Sequence, residues 1–142
     1  MVIDKVQVKG RVKVALNDVV VQEVDNLVVN TGLAFITSRM TDATDAVMSH
    51  MAVGSSSTAA AAGDTALGSE EGRVALTSTT DSTGQIIYVA TFSAGTATAT
   101  LNEAAVLNAA SAGTMLCRTV FAGPVNKGAN DSMTITWTIT IS

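Results

Sequence analysis

Near the end of the chain Met133, Ile135, Trp137, Ile139 and Ile141 stand at every second position, with Thr134, Thr136, Thr138 and Thr140 between them. Successive side chains of a strand point to opposite faces, so this segment reads as a long strand with Trp137 in a core and threonines outside. A helix would scatter the same apolar residues around its axis. The start of the chain repeats the pattern: Val6, Val8, Val12 and Val14 share one face, with Gly10 taking a place, and Gln7, Lys9, Arg11 and Lys13 share the other. Asn17-Asp18 is a turn signal, and a second valine-rich run follows from Val19 to Val29.

The pattern continues along the chain. Val47–Val53, Arg73–Thr80 and Ile86–Ala94 read as strands, the last two joined by the turn Asp81-Ser82-Thr83-Gly84. Ile86–Ala94 is apolar on both faces and is expected to be central and covered twice. Thr96–Leu101 alternates Thr with Ala and reads as an edge strand. Ala104–Leu107 pairs with Met115–Phe121, and Pro124, the only proline, marks a loop running to Asp131. One helix is expected, over residues 31–40, with Thr31 as its cap and Leu33, Ile36 and Met40 on one face. Asp42–Asp45 is a polar connection. Eight or nine strands and one short helix predict a single mostly-β domain over residues 1–142, an antiparallel β-sandwich of jelly-roll type. There is no internal repeat.

Composition narrows the function. Charged residues are 14% of the chain against a usual quarter, and apolar residues are 47%. The resulting neutral polar surface suits protein contact, because little charge must be desolvated. A net charge of −4 with dispersed Lys and Arg argues against nucleic acid. Cys117 is the only cysteine, so no intrachain disulfide forms, and synthesis in a reducing cytoplasm is expected. Met1-Val2-Ile3-Asp4-Lys5 lacks the apolar stretch of a signal peptide, and no segment is long enough to span a bilayer.

Residues for chemistry are sparse. His50 is the only histidine, and one His with one Cys supplies no nitrogen–sulfur metal cage. Cys117 lies among Met115, Leu116 and Val120 and reads as a small core hydrophobe rather than a nucleophile paired with His50. Glu70 and Glu71 are adjacent and would face opposite ways in a strand. The stretch Gly54–Ser69, rich in Ser, Ala and Gly, lacks the Gly-Lys-Ser/Thr ending of a phosphate loop, and its glycines read as sources of flexibility. Trp137 and Tyr88 are committed inward, leaving no aromatic platform for sugars. No enzyme, cofactor or metal is expected.

A long loop in a compact domain is often functional. Strand edges and this loop are therefore the expected contact elements, with Val2, Ile3, Val6, Val8, Ser55, Ser56, Thr58, Ala60 and Leu67 as the interface residues. A series of segments also carries a resemblance: Leu27-Val28-Val29-Asn30-Thr31-Gly32-Leu33, Met48-Ser49-His50-Met51-Ala52-Val53-Gly54, Asp64-Thr65-Ala66-Leu67-Gly68-Ser69-Glu70, Asn102 to Ala110, Gly113 to Arg118, and Asn130 to Ile139. In this order they resemble small phage virion proteins, the capsid cement (decoration) proteins of short-tailed phages. The resemblance covers the chain from about Leu27 to the end. It implies a jelly-roll-like homodimer on the outer capsid surface, bound to the major capsid protein and bridging capsomers, with no nucleic acid and no membrane as partners. Synthesis in the bacterial host cytoplasm follows from the same resemblance. The alternatives are a tail- or fibre-associated virion protein and a carbohydrate-binding jelly roll.

Overall fold

Residues 5–41 and 44–142 are described in the computed structural model. The two terminal alternating segments form β1 (Val8–Leu16) and β10 (Met133–Ile141). They pair antiparallel along their whole length, from Val8 opposite Ile141 to Leu16 opposite Met133. Trp137, Ile135 and Val12 are fully buried on the inner face, and the threonines of β10 point outward. The turn Asn17-Asp18, both residues at positive φ, folds β2 (Val19–Asp25) back on β1.

Among the described residues, two five-stranded antiparallel sheets pack as a sandwich. One has the order β2-β1-β10-β7-β6, with β6 Ser78–Ser82 and β7 Gln85–Phe92. The other has the order β3-β9-β8-β4-β5, with β3 Leu27–Val28, β4 His50–Gly54, β5 Glu70–Ala75, β8 Ala99–Leu107 and β9 Met115–Lys127. Helix α1 (Asn30–Ser38), followed by a 3-10 turn at Arg39–Thr41, places Phe35 and Ile36 against the core between the sheets.

Several local expectations are corrected. Thr31 does not cap α1: Val29 holds that position without a side-chain cap, and the Thr31 hydroxyl donates to the Met115 carbonyl at 2.7 Å. Arg73–Thr80 is not one strand, because the chain crosses between sheets at Leu76–Thr77, where Leu76 N–H donates to Ser49 and Thr77 N–H to Val89. Val47 is exposed, and its strand starts at His50. β7 is interior to its sheet but covered on one face only; Ile87 and Val89 remain half-buried.

Thr96–Leu101 is no edge. Its second half opens β8, which lies in the middle of its sheet and is buried on both faces from Glu103 to Leu107. Ala104 and Ala105 are fully buried in that covered stretch, while Thr98 and Thr100 before it are exposed. Pro124 lies inside β9, where the register jumps from Glu103–Val120 to Leu101–Val125. A residue without an N–H is tolerated at such a break in the ladder. The Gln22 carboxamide bridges the gap, donating to Gly123 O at 2.9 Å and accepting from Ala122 N–H at 2.8 Å. It stitches the two sheets together. Gln22→Ala is expected to lower stability by about 1 kcal/mol, since water replaces part of what is lost at a half-exposed site; urea denaturation measures it.

Candidate protein-interaction surface

The outer face of the second sheet carries an unusual pair for a strand interior, Glu103 on β8 and Arg118 on β9, both buried. Outward-facing charge at these positions would normally meet water. Here the segment 55–69 lies over it. The Glu103 carboxylate accepts the backbone N–H groups of Ser56 at 3.0 Å, Gly68 at 2.8 Å and Ser69 at 2.8 Å. It also pairs with Arg118 at 3.1 Å, and Arg118 reaches on to Asp64 at 2.9 Å and to the Thr58 carbonyl at 2.8 Å. Asp64 in turn accepts the Ala61 N–H at 2.9 Å. One buried carboxylate thus holds both ends of the segment, and one guanidinium holds its middle. An ion pair removed from water is sustained only when its remaining lone pairs and protons are also met, as they are here.

Glycine makes the approach possible. A side chain at Gly54 would strike the Ser69 carbonyl and the Glu103 carboxylate, and one at Gly68 would strike the Ser56 hydroxyl. Beneath the segment Val29, Ala52, Ala105, Leu107 and Met115 form a second apolar cluster, which Leu67 covers. Gly54 and Gly68 therefore serve close packing rather than flexibility, whereas Gly63 has open space around it. Ser57, Thr58, Ala59, Ala61 and Ala62 remain exposed on top, a low-charge surface on a fixed backbone.

That surface continues toward the start of β1. The Ala62 carbonyl accepts the Asn30 N–H at 2.8 Å, tying the segment to the head of α1. Just beyond lies a groove lined by Val6, Val8, Gly10, Asn26, Leu27 and Leu33. Val6 is 74% exposed, Leu33 45% and Leu27 36%. The Asn26 carboxamide fills the place a side chain at Gly10 would take, beside the Cys117 thiol, and finds no nitrogen or oxygen partner among the described residues.

Of the nine expected interface residues, the structure brings Val6 and Val8 into this groove, Val8 partly buried against the core. Thr58 and Ala60 lie on the pinned segment, Thr58 exposed and Ala60 half-buried. Ser55 and Ser56 serve to anchor it: the Ser55 hydroxyl donates to Glu71 at 2.9 Å, and Ser56 donates its N–H to Glu103. Leu67 points down onto the second cluster. Val2 and Ile3 lie outside the described residues. Glu103, Arg118 and Asp64 were not singled out from sequence. For Glu103 and Arg118 the signal was a single charge set inside each of two otherwise uncharged strand segments, Asn102–Leu107 and Met115–Phe121; Asp64 carried no such signal.

His50 and Cys117 lie on opposite faces of the second sheet. His50 faces outward opposite Leu107, with its Nδ1 2.8 Å from the Ser49 hydroxyl, whereas Cys117 faces the main core opposite Val106. They do not form a nucleophile–base pair. Among the described residues no group of three His, Cys, Asp or Glu is placed to hold a metal, and no helix is long and apolar enough to cross a membrane.

Burial pushes the Tyr88 hydroxyl up to about 12, with Cys117 adding to it, and pushes the Cys117 thiol far above its ordinary range against the opposing hydrogen bond from Asn26. Both groups hold their protons more tightly folded than unfolded. Their contribution to stability is complete below the unfolded values and is lost as pH rises through the folded ones. For Tyr88 the window runs from 10.0 to about 12. Because Tyr88 is the only tyrosine, ultraviolet absorbance of its phenolate is expected to appear late, together with alkaline unfolding. A free titration near 10 would contradict the burial.

The chain matches no protein-family model, no curated protein and no solved structure.

Proposed function

We propose that this domain is a structural virion protein, a capsid cement (decoration) protein that seats on the outside of an assembled shell, spans neighbouring capsomers and works without catalysis. Its partners in this reading are the major capsid protein and a second copy of itself, and it is made in the host cytoplasm. The observation that carries the reading is the segment 55–69, held over the second sheet by Glu103 and Arg118. Its exposed Ser, Thr and Ala side chains allow close backbone approach and carry little charge to desolvate. Because the segment is already ordered, docking does not have to pay for ordering it. A ligand that binds only correctly placed neighbours stabilises the assembled state by linkage, and repetition over a shell multiplies modest affinities.

The test is binding to purified, expanded empty shells, with tails as the comparison. The native chain is expected to bind shells and raise their melting temperature, and Ala59→Glu, a change at an exposed position of the segment, to abolish both while leaving the domain folded. Binding to tails alone would favour the fibre-associated alternative. Absence of the chain from imaged virions would end both readings.

A further inference from the structure

Strand β7 turns Ile86, Tyr88, Ala90 and Phe92 toward the core, and of these Tyr88 alone ends in a polar group. Tyr88 is 6% exposed and stands opposite Trp137 of β10. Its hydroxyl has no hydrogen-bond partner among the described residues. The Trp137 indole nitrogen has none either, but it is sealed in the core, whereas Tyr88 opens onto a cavity. A buried hydroxyl without a partner costs free energy that apolar walls do not return, and phenylalanine would fill the same place without that cost.

The cavity measures about 210 Å³ and lies between α1 and the inner face of the first sheet. Its walls are Phe35 and Ile36 of the helix, Ile86, Ile139 and Ile141 of the sheet, and Leu116 of β9. These walls are fixed. The Arg39 guanidinium, at the rim, lies 5.8 Å over the Phe35 ring and donates to the Asp45 carbonyl at 2.9 Å. Isoleucines on the sheet side are stiff about their first side-chain bond. An apolar cavity of about 150 Å³ takes up one benzene, so this one has room for a ring with a short substituent. An adjoining cleft of about 370 Å³ shares Phe35, Ile86 and Tyr88 with it and runs out past the exposed Val47, which gives the way in.

We propose that this cavity binds a small uncharged aromatic carbonyl compound, its ring among the isoleucines and its carbonyl oxygen accepting the Tyr88 hydroxyl. The site is separate from the segment 55–69 and does not depend on the capsid reading. An uncharged occupant follows from the walls, which would strip a charge of its water and return nothing. A ring follows from their rigidity, because a stiff occupant gives up little internal freedom on entering a preformed shape. One acceptor follows from one donor: Tyr88 holds its proton up to about 12, so the hydroxyl donates throughout the neutral range. Mostly apolar walls with a single placed polar group are the usual make-up of a small-molecule site.

The experiment is a titration of the full chain followed by the nuclear magnetic resonance of its methyl groups, with two probes. Acetophenone carries the carbonyl, and α-methylstyrene has the same shape without it. Acetophenone is expected to shift the methyls of Ile36, Ile86, Leu116 and Ile139 saturably, with a Kd below about 1 mM. Tyr88→Phe is expected to weaken acetophenone about three- to tenfold, the worth of one hydrogen bond, and to leave α-methylstyrene as tight as before or tighter. Ile86→Phe, which fills the cavity, is expected to stop both probes. Methyl shifts that do not saturate or that fall elsewhere would overturn the proposal. So would a Tyr88→Phe chain that holds acetophenone as tightly as the native one, or one that loses both probes alike, and so would binding that survives Ile86→Phe. If Ile86→Phe failed to fold, Tyr88→Phe, which removes a single oxygen, would still decide.

Discussion

Glu103→Ala is expected to lower the unfolding free energy by about 3–5 kcal/mol, the cost of stranding one half of a buried ion pair. Two losses combine. Arg118, 2% exposed, keeps only Asp64 and the Thr58 carbonyl as partners, and the N–H groups of Ser56, Gly68 and Ser69 lose their acceptor together. Neither the guanidinium nor the three amides can recover water without lifting the segment 55–69, and lifting it uncovers Ala52, Ala105, Leu107 and Met115. Amide exchange across 55–69 is therefore expected to accelerate far more than exchange in β1 or β10, and urea denaturation gives the total. The double variant Glu103→Leu/Arg118→Met is expected to be much less damaging than Glu103→Ala, because it removes the charge that would be stranded. Equal losses in the two variants would mean that the pair is not what holds the segment.

Gly32→Ala is expected to destabilise the fold despite improving the helix. Alanine is the better helix former by roughly 1 kcal/mol, so an unobstructed exchange in α1 would be stabilising. Here the added methyl would drive into the Leu116 carbonyl and the backbone atoms behind it. The carbonyl cannot step aside, because it already accepts the Val29 N–H at 3.3 Å, and the neighbouring Met115 carbonyl accepts the Thr31 hydroxyl. Helix α1 must then move off β9, loosening Phe35 and Ile36 from the core. Overpacking of this kind costs about 1–3 kcal/mol, enough to outweigh the propensity gain. The predicted sign of the change in melting temperature is negative; a rise would show that the helix has room to shift.

Alternation made the sandwich legible because it reports which face of a strand is buried, and the β1–β10 pairing follows that pattern residue by residue. It does not report which sheet a strand joins, so the crossover at Leu76–Thr77 was read through. It also treats a small residue as an exposed one. Ala104 and Ala105 in β8 lie where the strand is covered twice, at a distance set by Gly54 and Gly68, and that cover comes from a segment whose composition suggests freedom. The anchoring trio of the candidate surface was hidden for a related reason. Glu103, Arg118 and Asp64 are far apart in sequence, and nothing local says that they meet. A charge within an apolar strand segment was the one available sign that something must come to neutralise it.

The pairing of β1 with β10 has a consequence for how the chain comes to be made. Val8 waits for Ile141 and Leu16 for Met133, so the centre of the first sheet closes only after β10 has left the ribosome. Folding dominated by such distant partners is slow, on the order of milliseconds to seconds. Until then the β1–β2 hairpin stands with its valines unshielded on nascent chains crowded along one message. Whatever spares it from premature coalescence, whether a chaperone or simple dilution, acts in that interval, and raising the rate of synthesis is expected to divert product into insoluble material before any change in the finished fold is seen.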